Sequence, residues 1–142
     1  MDLISKFTKE ITLVNLAIKQ FIQAKLRENN IDLTFEMMQI LYSLWNKDGV
    51  NQQELANITA KDKASMTNLL DNLTKRNLVL RQEGSDRRNK IIFLTPEGKA
   101  IKKQVQPWIK ALHQTAKNNV NPEHLVELTC VMEKIRLNLS TV

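Results

Sequence analysis

A mainly helical chain with one small β-hairpin is the fold class this sequence predicts, and three observations carry it. Apolar residues recur at steps of three and four through most of the chain, the period of an amphipathic helix. Glycine and proline are scarce, three of each in 142 residues, and so few breakers favour helices. Between residues 78 and 94 the pattern changes. Two short β-branched or apolar runs, 78–82 and 90–94, flank a polar, glycine-containing stretch from Glu83 to Asn89, which reads as a hairpin with a long tip.

The elements follow in order. Ile4, Phe7, Ile11, Val14, Ile18 and Ile22 place a helix over 3–29. A second helix starts at Thr34 as N-cap, with Glu36 in its first turn and Gly49 beyond its end. Asn51 followed by Glu54 has the spacing of a capping box for a short third helix. Asp62 caps a fourth, whose buried stripe is Met66, Leu69, Leu70 and Leu73; Asn77 suits the left-handed residue that ends it. After the hairpin, Thr95-Pro96-Glu97 starts a long helix, with threonine as N-cap and proline at the first helical position, running to about Asn118. Asn121-Pro122-Glu123 repeats the device for a last helix. There Leu125, Leu128, Met132, Ile135 and Leu139 form a 3-4-3-4 seam that suits a partner helix.

The predicted order is α-α-α-α-β-β-α-α. A short helix pair with a tight turn, followed by a hairpin, makes a winged helix-turn-helix. One domain is expected over 1–142. It comprises a winged helix-turn-helix lobe at 34–94 and terminal helices at 1–30 and 96–142. Ile4, Phe7, Ile11, Leu125, Leu128, Met132 and Ile135 are too many apolar residues for a monomer to expose at its ends. The terminal helices should therefore form an obligate homodimer.

The charge narrows the function. Residues 61–110 carry 12 Lys and Arg against 5 Asp and Glu, residues 1–60 carry 6 against 7, and residues 111–142 carry 3 against 3. The net charge of +6 is thus confined to the middle third, as a polyanion-binding surface requires. Double-stranded DNA is the expected partner. In a helix-turn-helix the second helix enters the major groove. Its outward residues here are Lys63, Ala64, Ser65, Thr67, Asn68 and Asn72, types that bond phosphates, adenine edges and thymine methyls. At the hairpin tip, Arg87, Arg88 and Lys90 suit the neighbouring minor groove and its phosphates. Asp86, two residues before Arg88, is placed to support it by pairing with its guanidinium.

Other chemistries find little. The single cysteine, Cys130, allows no internal disulfide and reads as a small buried apolar residue of the last helix. His113 and His124 are eleven residues apart with no third ligand at metal spacing. No cofactor loop, metal set or nucleophile–base pair is seen, so an enzyme is not expected. The N-terminus lacks the features of a signal peptide, and no stretch approaches a membrane span. A cytoplasmic location is expected.

Asp86-x-Arg88, five residues, then Leu94-Thr95-x-x-Gly98 resembles the wing signature of the MarR family of bacterial regulators. The segment from Asp62 to Val79 resembles that family's recognition helix and its step into the wing. The resemblance runs over essentially the whole chain. It implies a homodimeric regulator, with repression the expected mode, on a pseudo-palindromic operator. It also implies release by a small phenolic or lipophilic effector, for which Met37, Met38, Trp45, Trp108 and His113 are candidate pocket residues; plain core packing is the competing reading of these five. Asn68 stands where many members have Arg, and Asn77 where a Gly is common. The alternative function is a winged-helix adaptor that binds only protein, which would not need the basic tip.

Overall fold

The computed structural model describes residues 1–86 and 88–141. The chain forms two compact units, Met1–Ile109 and Lys110–Val142. Among the described residues six helices and three strands follow in the order α1 Leu3–Glu28, α2 Phe35–Asn46, β1 Val50–Asn51, α3 Gln52–Ile58, α4 Lys63–Lys75, β2 Val79–Glu83, β3 Lys90–Leu94, α5 Pro96–Ala116 and α6 Pro122–Ser140.

The caps sit where side-chain chemistry demands them. Met37 N–H donates to Thr34 Oγ1 at 3.1 Å, and Ser65 N–H donates to Asp62 Oδ1 at 2.7 Å. Gly98 N–H donates to Thr95 Oγ1 at 3.0 Å, and Glu123 N–H donates to Asn121 Oδ1 at 2.9 Å. Asn51 Oδ1 accepts from Gln53 N–H at 2.8 Å and from Glu54 N–H at 3.4 Å. Each bond satisfies a donor that a helix N-terminus leaves free.

Three helices end alike. Asn30, Ala60 and Asn77 have φ of 55°, 54° and 58°, and the next residue donates back across the turn: Ile31 to Leu26, Lys61 to Ala56, Leu78 to Leu73. This closure needs one left-handed residue. Asparagine adopts it readily, whereas Ala60 does so at a steric cost.

The sheet has the order β1-β3-β2 and is antiparallel throughout. Strand β1 corrects the predicted order, which had none between the second and third helices. Two residues cannot show an alternating pattern; β1 exists through its pairing, Val50 with Ile92 and Asn51 with Ile91. Asp48 Oδ1 accepts from Leu94 N–H at 2.9 Å and extends that junction. The core of the N-terminal unit joins α1, α2, α3, α4, the sheet and α5 through Leu26, Ile40, Leu44, Leu55, Leu70, Ile92 and Val105, all under 2% exposed with others of their kind. In α4, Met66, Leu70 and Leu73 are buried as expected, while Leu69 is half-buried.

The terminal helices bury little. In α1 only Ile22 and Leu26 are buried, and no residue of α6 is. Among the described residues no helix is long and apolar enough to cross a membrane.

Candidate nucleic-acid interface

Helix α4 is built to present one polar face. Met66, Leu70 and Leu73 fix its inner side, which leaves Lys63, Ala64, Ser65, Thr67 and Asn68 exposed. Asp62 organises its first turn. The carboxylate accepts from the Ser65 amide at 2.7 Å and from the Ser65 hydroxyl at 3.1 Å. These two bonds hold its pKa below the ordinary 3.8. The ionised carboxylate also complements the positive end of the helix dipole.

A pH-dependent cap follows. A depressed folded-state pKa means stability that is present above the unfolded value and lost as pH falls through the folded one. Asp62→Ala should lower the Tm by a few degrees at neutral pH. The two proteins should converge as pH falls below 3.8, which thermal melts at stepped pH will check.

The polar residues differ in freedom. Thr67 donates its hydroxyl to Lys63 O at 2.9 Å and accepts from Gln52 Nε2 at 3.3 Å. Asn72 is half-buried and donates to Asn68 O at 3.1 Å. It is turned back onto its own helix, so of the predicted face it points least outward. Asn68 is exposed, and among the described residues its side chain has no hydrogen-bond partner.

The wing lies beside this face. Arg88, Asn89 and Lys90 are exposed; Arg87 lies outside the described residues. Asp86 supports the tip differently from the predicted guanidinium pairing. Its carboxylate accepts from the backbone N–H of Arg88 at 3.2 Å, and its carbonyl accepts from Asn89 N–H at 2.8 Å. This is a short turn closed by an aspartate side chain, and it leaves the Arg88 guanidinium with no carboxylate partner among the described residues. The Asn51 side-chain amide donates to Asn89 Oδ1, which ties the tip to the start of α3. Between α3, α4 and the wing is a groove of about 260 Å³, whose lining includes Lys63, Thr67, Arg81, Arg88 and Lys90. The structure thus brings Lys63, Thr67, Arg88 and Lys90 to one surface.

Arg81 is the residue sequence reasoning missed. Its Nη1 lies 2.7 Å from Asp71 Oδ1, and its Nη2 donates to Thr67 O at 3.1 Å. The available signal was its place two residues after Val79, in the same strand row.

The candidate effector-pocket residues divide. Met37 and Met38 are 4% exposed and belong to the core. Trp45 donates its indole N–H to Gly98 O at 2.9 Å. Trp108 is half-buried, and His113 is exposed in the C-terminal unit. A separate cavity of about 480 Å³ near the N-terminus of α2 is lined by others, Leu16, Lys19, Phe35, Glu36 and Gln39 among them. There Glu36 pairs with Lys19 at 2.9 Å, and that bond holds its carboxyl below its ordinary pKa against the opposing effect of burial. Cys130 is exposed rather than buried in the single chain.

Comparison with known proteins matches this geometry. Residues 33–90, from the start of the helix-turn-helix lobe to the wing, match the family model described as MarR family. The chain is 38% identical over 72 residues to the HTH-type transcriptional regulator SarZ of Staphylococcus aureus, over 50% of this chain and 49% of that protein. It spans about half the length of the curated relatives it matches. Two solved structures share the fold over nearly all of both chains. S. aureus MepR in a DNA-binding conformation has a TM-score of 0.82 at 24% identity, covering 94% of this chain and 98% of that one. A MarR transcriptional regulator from Methanosarcina mazei Go1 has a TM-score of 0.80 at 21% identity, covering 97% and 99%. Over residues 33–90 the chain is thus similar to the MarR family, and its fold as a whole is that of these two solved structures.

Proposed function

We propose that this protein is a homodimeric, sequence-specific DNA-binding transcriptional regulator acting chiefly as a repressor. Residues 34–94 serve as its DNA-binding lobe and the terminal helices 1–30 and 96–142 as its dimerisation part. One observation carries the reading. An exposed polar face on α4 and a cationic wing tip with an exposed Arg88 border the same groove. Lys63, Ser65, Thr67 and Asn68 meet the major groove, with Asn72 at the margin. Arg88 reaches the adjacent minor groove, and Arg87 and Lys90 its phosphates. The wing turn held by Asp86 presents Arg88 to that groove.

The exposed apolar residues of α1 and α6 support the dimer. Two recognition helices about 34–36 Å apart then address successive major grooves of a pseudo-palindromic site. Release of the operator by a small lipophilic or phenolic molecule belongs to the same reading.

A gel shift with the DNA upstream of the protein's own gene tests the proposal. Binding should survive competition by mixed-sequence duplex and should fall steeply with salt. Absence of any shift at low salt contradicts it.

A further inference from the structure

Strand β2 turns Val79 and Arg81 to the same face. Val79 is 2% exposed, and Arg81 stands opposite Ile92, which is fully buried. An arginine in this row lies at the margin of the core, against α4. Its charge is answered from that helix, by Asp71 at 2.7 Å and by the Thr67 carbonyl at 3.1 Å. Residues 67 and 71 are one turn apart on one face of α4. The planar guanidinium fork therefore grips the recognition helix at two successive turns. From the other side, Gln52 of α3 donates to Thr67 Oγ1 at 3.3 Å. The Arg81 side chain keeps 21% of its exposure, and its Nε is buried.

We propose that Arg81 is a positioning residue for DNA binding: held between Asp71 and the Thr67 carbonyl, it fixes the wing relative to the recognition helix without touching DNA. The inference rests on the DNA-binding reading above. The wing and α4 address two different grooves, so their separation must be held, and a hairpin is a weakly stable element by itself. Two of Arg81's nitrogens are engaged with α4 and a third is buried, which leaves it poorly placed for a phosphate. Arg88, exposed at the same groove, is well placed for one.

The test compares Arg81→Met, Arg81→Lys, Asp71→Asn and the exchanged pair Asp71→Arg with Arg81→Asp, using Arg88→Ala as reference. The probe is a mixed-sequence duplex of about 30 base pairs, three helical turns, titrated across salt. Arg81→Met should weaken binding about tenfold, the scale of coupling within one network, at an unchanged salt slope. The exchanged pair should recover most of the loss. Arg88→Ala should instead lower the slope by about one unit. Hydrogen exchange of the β2 and β3 amides, measured without DNA, should be faster in Arg81→Met and Asp71→Asn. If Arg81→Met does not fold, Arg81→Lys and Asp71→Asn carry the same comparison. A slope lowered by about one unit on loss of Arg81, with no recovery in the exchanged pair, makes Arg81 a phosphate contact and overturns the proposal. Unchanged affinity overturns it too. If the wild type binds no duplex, the DNA-binding reading has failed; hydrogen exchange then decides separately whether the brace on the wing exists.

Discussion

Gly98→Ala should destabilise the protein by about 1–3 kcal/mol, the range of a forced overpacking, even though alanine is favoured over glycine in a helix by roughly 1 kcal/mol. A Cβ at this position would lie 2.1 Å from the Leu78 carbonyl oxygen and 3.2 Å from Leu94 Cδ2. The obstacle is backbone, and it is tied down. Leu78 O accepts from Thr95 N–H at 3.1 Å, and Leu78 N–H donates to Leu73 O at 3.0 Å. Gly98 cannot retreat easily either, because its own carbonyl accepts the Trp45 indole N–H. The end of α4, the start of β2, the start of α5 and the end of α2 are linked here by these hydrogen bonds. Urea unfolding followed by tryptophan fluorescence should show a lower midpoint at an unchanged slope. Wild-type stability in Gly98→Ala would contradict this packing.

Leu128→Glu combined with Met132→Glu should turn the proposed dimer into a monomer. Leu125, Leu128 and Met132 are 44%, 45% and 43% exposed in the single chain, and they share one seam of α6 with Ile135. In a dimer interface two carboxylates on this seam would lose their water, at a cost of several kcal/mol unless cations pair them. Since a single protomer can hold only one half-site, DNA affinity should fall by about a hundredfold or more. Light scattering gives the mass and fluorescence anisotropy the affinity. A monomeric wild type at micromolar concentration would remove the dimer. A double variant that stays dimeric would place the interface elsewhere.

What was legible in the sequence was whatever a single residue or a short period decides. Thr34, Asp62 and Asn121 cap their helices because their side chains can accept from a free amide two or three residues on. Asn77 ends α4 because it tolerates φ of 58°. The hairpin was visible as a change of period. What was not legible depends on partners distant in the chain. Strand β1 is defined by Ile91 and Ile92, some forty residues later. Arg81 looked like one more cation of the basic third, and only the approach of Asp71 from α4 shows that its charge is already answered. Asp86 was placed correctly next to Arg88, but whether it meets the guanidinium or the amide depends on how the turn folds, and the amide wins at 3.2 Å. Ala60 gave no warning that it would take a left-handed conformation.

Salt-titrated binding of the wild type, Asn68→Ala and Arg88→Ala to an operator duplex and to its scrambled counterpart tests the central claim most directly. A recognition helix in the major groove and a wing in the minor groove should separate the two variants. Asn68→Ala should lose about 1–3 kcal/mol of discrimination at particular base pairs while binding scrambled DNA like the wild type. Arg88→Ala should weaken both duplexes and lower the salt slope by about one unit. A wild type that binds neither duplex, or two variants that titrate like the wild type on both, would contradict the assignment of this surface to DNA.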